Sequence, residues 1–257
     1  MNLTDGIWLL PSRGRPKSIA RFFQAARSTG ITSAGVVICG DPKGEGRDEY
    51  FKVFKEYAPA NWKIDWFEPT EKEPIQSYGG SLREWMHTND ARWRSLSWLG
   101  VINDDQVPVT KEWDRVITGR LNGKNWITTN DLIQGNHRAA GIGAYSIGIL
   151  KAVGYLYPPK MHHHYQDDLW ENLGRATGIW DRAMDIVIAH AHWSRMATHG
   201  YQSDIDDTAK LDLRWDEQDK ALFAQWCKSE FMPACERIKT YIRSFNGESN
   251  HDAGNRG

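Results

Sequence analysis

Val101-Ile102-Asn103-Asp104-Asp105 is a short buried strand that runs without a spacer into an amide and two adjacent carboxylates. Acidic residues at the C-terminal end of a central strand lie where open α/β sheets bind ligands. Neighbouring carboxylates repel each other unless a cation or hydrogen-bond donors neutralise them, and a hard divalent ion with oxygen ligands does this well. In extended backbone, residues 103 and 105 point to one side and 104 to the other. Asp105 is then placed to hold a metal and Asp104 to meet a nucleotide or its ribose. The same three residues also suit an Asx turn leading into the next helix.

Outward from this stretch, the first two thirds of the chain alternate short apolar runs with amphipathic segments, the pattern of βα units around a largely parallel sheet. Strands are expected at 6–10, 35–39, 63–67, 101–102, 126–129, 141–147 and 185–189. A helix beginning at Pro16 carries Ile19, Phe22, Phe23 and Ala26 on one face and is capped by Gly30. A second is expected at 45–57 through Tyr50, Phe51, Phe54 and Tyr57, and residues 81–99 read as helical behind a flexible Gly79-Gly80. Thr110 is expected to cap a helix carrying Trp113, Val116 and Ile117. From residue 208 the pattern turns charged and helical, with Leu222, Phe223, Trp226, Ile238 and Ile242 as packing residues. The division expected is a catalytic domain over 1–207, a C-terminal helical appendage over 208–247 and a disordered polar tail over 248–257.

Composition narrows the function classes. The formal net charge of −1 gives no overall electrostatic signature for nucleic acid, although a local basic patch is compatible with it. The apolar run Gly6 to Leu10 is too short for a signal-peptide core, and no stretch reaches the roughly 18 apolar residues that span a bilayer. Cys39, Cys227 and Cys235 have neither a disulfide framework nor a zinc spacing. The expectation is a cytoplasmic protein with no membrane span.

Pro11-Ser12-Arg13-Gly14-Arg15-Pro16 directly after the first strand resembles the Pro-Thr/Ser-x-x-Arg-Pro opening of family 2 glycosyltransferases, and Asn103-Asp104-Asp105 sits where that family carries its DxD metal motif. Asn130-Asp131-Leu132-Ile133-Gln134-Gly135, Gly154 to Pro159, His163 to Trp170 and His190-Ala191-His192 resemble further blocks of a phage and bacterial subgroup. The resemblance covers roughly residues 5 to 207 and implies a GT-A fold: a mixed, mostly parallel α/β sheet with helices on both faces and a C-terminal helical cover. It also implies a nucleotide-sugar donor, of the UDP-sugar kind, and Mn2+ or Mg2+ as cofactor. Asn103 departs from the pattern, since an amide oxygen can ligate but adds no charge. The metal is then held more weakly, or through Asp104 and Asp105 together.

Site residues follow from these blocks. Pro11, Ser12, Arg13 and Arg15 sit on a strand, turn and helix N-terminus that offer backbone N–H groups and guanidinium to an anion. Asp41 resembles the acidic residue such enzymes place near the nucleobase. One of His190 and His192, facing opposite ways, can complete a metal site with Asp105, and the resemblance favours His192. Within Asp167-Asp168-Leu169-Trp170-Glu171, Asp168 reads as an N-cap with Glu171 as its capping-box partner. Asp167, just outside that helix, is left as the general base of an inverting transfer. Trp170 offers an aromatic face to the acceptor. Of His162, His163 and His164, one is expected to line the acceptor cleft and the others to be exposed. The acceptor expected from the subgroup is a 5-hydroxymethylated pyrimidine in phage DNA, gripped by Arg13, Arg15, Lys17, Arg138 and Lys160; a cell-surface glycan or protein is the alternative. A nucleotidyltransferase is disfavoured because its G-x-G-x-R loop is absent, and a non-catalytic binding protein of the same fold is the rival from another class.

Overall fold

In the computed structural model, residues 5–12, 14–31, 35–40, 46–70, 78–133, 139, 143–191 and 215–247 are described. Continuous apolar runs form the strands on one side of the sheet: β1 (Gly6–Pro11), β2 (Gly35–Cys39) and β4 (Trp98–Val101), all buried along their length, with β3 (Lys63–Phe67) at the edge. Strands buried on both faces read as unbroken apolar sequence, so these three carry the expected signature. β5 (Gln106–Pro108), β6 (Trp126–Asn130), β7 (Gly143–Ser146) and β8 (Trp180–His190) complete an eight-stranded sheet of order β3-β2-β1-β4-β7-β6-β8-β5. Pairings β1·β2, β1·β4, β2·β3 and β6·β8 are parallel, while β4·β7, β6·β7 and β5·β8 are antiparallel. The sheet is therefore mixed and mostly parallel.

Alternate residues of each strand feed the two layers. Ile7, Leu9, Val37, Leu99 and Val101 pack with α3 (Tyr78–Thr88), α6 (Ile147–Val153) and α7 (Gln166–Thr177). Trp8, Leu10, Val36 and Ile38 pack with α1 (Pro16–Thr29), α2 (Arg47–Tyr57) and α5 (Trp113–Arg120). Short α4 (Asp90–Ser95) precedes β4. At the C-terminus α8 (Asp216–Ser229) and α9 (Phe231–Phe245) join the first layer through Trp226, Ala234, Cys235 and Ile238, with Leu222, Phe223 and Ile242 partly buried against it.

Several expectations are corrected. Residues 81–99 are not one helix: α3 and α4 end by Ser95, and Trp98 and Leu99 already belong to β4. Their apolar side chains continue the helical spacing, but pairing with Gly6 and Ile7 of β1 settles them as strand. Gly79-Gly80 lies inside α3, and Gly79 is required by packing, because a Cβ there would fall 2.4 Å from the Tyr157 ring. Thr110 is not a helix cap; its hydroxyl accepts the Val187 N–H at 2.8 Å, and Glu112 occupies the N-cap of α5. β8 begins at Trp180, earlier than expected, through polar residues that are only half-buried.

Two tryptophan–glycine exchanges lock β1 to β4. Gly6 stands opposite Trp98 and Trp8 opposite Gly100, and each indole lies over the glycine of the neighbouring strand. A Cβ on Gly100 would sit 2.1 Å from the Trp8 ring, inside a fully buried layer. Gly100→Ala should therefore cost about 1–3 kcal/mol through overpacking, whereas Gly119→Ala, with nothing within 4 Å of its Cβ, should not destabilise. Urea unfolding of both variants checks this.

Candidate active site

Where β1 ends, Ser12 is buried and its N–H donates to Cys39 of β2 at 3.0 Å. From there a chain of hydrogen bonds crosses to the end of β4. The Arg15 N–H donates to the Tyr50 hydroxyl at 2.8 Å, the Tyr50 hydroxyl meets Ser12 Oγ at 2.8 Å, and Ser12 Oγ donates to Asp104 Oδ2 at 2.8 Å. Because the single serine proton goes to the carboxylate, Tyr50 is the donor to Ser12. The Arg15 guanidinium closes the loop on Asp104 Oδ1 at 3.3 Å. Burial pushes the Asp104 carboxyl up, Arg15 opposes this, and the adjacent Asp105 charge adds to it, leaving its pKa raised to about 6. The first and fourth strand exits are thus joined into one rigid wall.

Asp105 turns the other way. The turn is shaped by Gln106, whose side-chain oxygen accepts the Asn103 N–H at 2.8 Å and whose own N–H returns to the Asn103 carbonyl at 3.1 Å. Pairing of β5 with the end of β8 then brings Asp105 to His190: the Asp105 carbonyl accepts from Ala191 N–H at 2.8 Å, and Oδ2 lies 3.2 Å from His190 Nε2. On its far side His190 donates its backbone N–H to the Asp131 carbonyl at 3.1 Å, with Nδ1 3.9 Å from the buried Asp131 carboxylate. Burial disfavours the imidazolium, but the two carboxylates outweigh it, Asp105 foremost, and raise the His190 pKa to about 10. Among the described residues, no three His, Cys, Asp or Glu side chains converge as a self-sufficient metal site. Asp105 nevertheless fits a small divalent ion that arrives with a nucleotide, since such ions use one or two carboxylates and take phosphate and water oxygens for the rest, whereas His190 carries a proton between its two carboxylates and would ligate only after giving it up.

A small opening at this edge of the sheet is lined by Val101, Asn103, Thr128, Gly143, Tyr145, Gln166 and Asp167. Asn103 and Asp167, more than sixty residues apart in sequence, therefore face one space. Asp167 is exposed, but it does not lie outside its helix. α7 starts at Gln166 after Tyr165, which takes the N-cap with φ 65° and no side-chain cap, so Asp167 and Asp168 both occupy the first turn. Asp168 is accordingly not the N-cap, and Glu171 is not its capping-box partner. Glu171 accepts instead from the Ala139 N–H at 2.6 Å and from Arg175 at 3.0 Å.

The aromatic and histidine expectations change as well. Trp170 is fully buried, lies tilted against Tyr145 with ring centroids 4.7 Å apart and donates its indole N–H to the Leu156 carbonyl at 2.9 Å, so it is core and presents no face to an acceptor. His162 is not exposed: its ring stacks on Trp215 at 4.0 Å and its Nδ1 lies 3.0 Å from Asp219. His163 and His164 are half-buried and give their backbone N–H groups to the same carboxylate, at 2.7 and 2.9 Å. Arg13, Asp41, Arg138 and His192 lie outside the described residues.

Four residues of this region escaped the sequence reading. Tyr50 reads as a packing ring and not as a hydroxyl donor, Gln106 lies in a strand too short to register, Asp131 in the Asn130-Asp131 block has no role that its neighbours suggest, and Asp219 lies in the charged first turns of its helix, which read as solvated. Burial of Asp219 opposes its ionisation, but the backbone N–H groups of His163, His164 and His162 outweigh this and hold its pKa below the ordinary carboxylate value. A depressed folded-state pKa stabilises above the unfolded value of about 4 and is lost as pH falls through the folded value. The stability difference between the protein and Asp219→Asn, followed by thermal unfolding, should therefore be full at neutral pH and shrink below about pH 4.

No protein-family model matches the chain, and no curated protein matches it. Solved structures do. The glucosyl-3-phosphoglycerate synthase from Mycobacterium tuberculosis, in complex with Mn2+, uridine diphosphate and phosphoglyceric acid, superposes with a TM-score of 0.52 at 9% identity, over 74% of this chain and 71% of that one. The same enzyme with Mg2+ and uridine diphosphate gives 0.50 at 10% identity, over 74% and 72%. At such identities the likeness is one of fold, and the fold is that of the GT-A glycosyltransferases. Among the described residues no helix is long and apolar enough to cross a membrane.

Proposed function

We propose that this protein is a metal-dependent glycosyltransferase that moves a sugar from a nucleoside-diphosphate sugar, of the UDP-sugar kind, onto an acceptor hydroxyl. The observation that carries the reading is the shared opening of Asn103 and Asp167 at the C-terminal edge of a GT-A sheet, beside the wall built by Ser12, Arg15 and Asp104. That wall, with Pro11 at the end of β1, receives the nucleotide, and the family resemblance adds Arg13 and Asp41 as donor contacts. Asp105, with His190 or His192, would hold Mn2+ or Mg2+, and the chemistry such an ion would supply there is charge neutralisation of the diphosphate.

Asp167 takes the proton of the acceptor hydroxyl while that oxygen bonds to the anomeric carbon and the bond from that carbon to the diphosphate oxygen breaks. Attack opposite the leaving group inverts the anomeric centre. His163 and His164, which flank the start of α7, line the acceptor side. The case for DNA as acceptor loses two supports: Trp170 is buried and cannot stack on a flipped base, and Arg15 is engaged by Asp104. A saccharide hydroxyl is the acceptor class we favour.

The test is incubation with a pool of nucleotide sugars and Mn2+, offering saccharides in one arm and 5-hydroxymethylated duplex DNA in the other, with products read by mass spectrometry. A hexose or pentose adduct on a saccharide is expected. Adducts on neither acceptor, with no donor consumed, would sink the reading; adducts on DNA alone would restore the nucleic-acid acceptor.

A further inference from the structure

The C-terminal helices do more than cover a hydrophobic layer. The segment that leads into α7, residues 157–165, is held from two sides by groups that satisfy opposite halves of its backbone. From α3, the Gly79 N–H donates to the His162 carbonyl at 2.6 Å, and the largely buried Arg83 guanidinium donates to the carbonyls of Pro158, at 3.1 Å, and Met161. From α8, the fully buried Asp219 carboxylate accepts the N–H groups of His162, His163 and His164 at 2.9, 2.7 and 2.9 Å, together with His162 Nδ1 at 3.0 Å.

The next residue is Tyr165, a non-glycine N-cap in the left-handed region, which costs of order 1 kcal/mol or more and persists only where the surroundings over-determine it. α8 supplies those surroundings too: the Tyr165 ring stacks on Phe223 at 5.2 Å, and its hydroxyl donates to Asp216 at 3.1 Å. Asp167 follows two residues later. Three residues from about the first two turns of α8, Asp216, Asp219 and Phe223, together with its N-cap Trp215, thus fix where α7 begins.

We infer that Asp219 is a positioning residue for the transfer, acting through the backbone of residues 162–164 to set the Asp167 carboxylate against the opening at Asn103. The inference rests on the reading of Asp167 as the base. Misplacing a reacting group by about 1 Å can cost about a hundredfold in rate without any change in what binds.

The isosteric Asp219→Asn keeps the volume but turns one acceptor oxygen into a donor that faces backbone N–H groups. In the full-length protein we expect kcat to fall about tenfold to a hundredfold, with the KM for the donor and the Kd of UDP with Mn2+ little changed. Amide exchange should accelerate over residues 162–169 and stay unaltered in β1, β2 and β4. Asp216→Asn, which leaves the Tyr165 hydroxyl an acceptor, should retain most of kcat. An unchanged kcat in Asp219→Asn, or a loss shared equally by UDP binding and by exchange in β1 to β4, would overturn the assignment and leave Asp219 holding the fold only. If the unmodified protein turns over no nucleotide sugar, the glycosyltransferase reading fails by itself. The exchange pattern over 162–169 then still decides whether Asp219 sets the start of α7, and unaltered exchange there refutes it.

Discussion

Asp167→Asn lowers sugar transfer by about 10² to 10⁴-fold, the loss that follows removal of a general base, and leaves nucleotide binding intact. The asymmetry follows from placement. Asp167 is exposed and lines the opening with Asn103, while the nucleotide wall of Ser12, Tyr50, Arg15 and Asp104 is built from other elements. The amide retains the shape of the carboxylate and stays compatible with the first turn of α7, so folding should be preserved. Asp168→Asn, in the same turn but outside the lining of the opening, should transfer sugar at a rate close to that of the unmodified protein. Steady-state kinetics of both variants, with UDP binding as the control, checks the pair; an inactive Asp168 variant beside a normal Asp167 variant would reverse the assignment.

Asp105→Ala should abolish the Mn2+-dependent part of nucleoside-diphosphate binding while the protein stays folded. Asp105 sits at a turn and is only half-buried, so its loss removes a charge from the rim and no apolar packing from the core. The same substitution separates His190 from one of its two carboxylates and leaves Asp131 beside it. Calorimetric titration of UDP with and without Mn2+ reads the effect directly. Metal-dependent binding that persists at full strength would show that the ion is held elsewhere, for instance by Asp104, whose oxygens would first have to leave Ser12 and Arg15.

What could be read from sequence divides along physical lines. β2 and β3 fall on the expected residues, and β1 and β6 differ by one at their ends; for β1 and β2 the reason is that a strand buried in a parallel layer is an unbroken apolar run between turn residues. β4 was placed three residues late, since Trp98 and Leu99 fit a helical period equally well and only their pairing with Gly6 and Ile7 distinguishes the two. Within the site, Asp104 and Asp105 were legible because adjacent carboxylates at a strand end demand a partner. His190 was legible as one of two candidate partners of Asp105, but the supports behind these pairs were not: Asp131 reaches His190 only because β8 closes onto β5 and β6, and Tyr50 comes from α2 to hold Ser12 and Arg15 against Asp104. Trp170 misled because an aromatic beside two acids is as consistent with a core position as with a stacking platform. Asp219 was hidden by its neighbours: Asp216, Glu217 and Lys220 make the start of the helix look solvated, although Leu222, Phe223 and Trp226 further along mark a packing face.

The central claim is that the joined exits of β1 and β4 receive a nucleoside-diphosphate sugar and that the chain breaks its glycosidic bond to phosphate. The measurement that tests it most directly is release of nucleoside diphosphate from a panel of UDP- and GDP-sugars, with Mn2+ and with the metal chelated, followed by mass spectrometry. The account predicts release from at least one donor that depends on the metal and is lost in Asp105→Ala. No release from any donor, together with no thermal stabilisation by UDP or GDP in the presence of Mn2+, would contradict it.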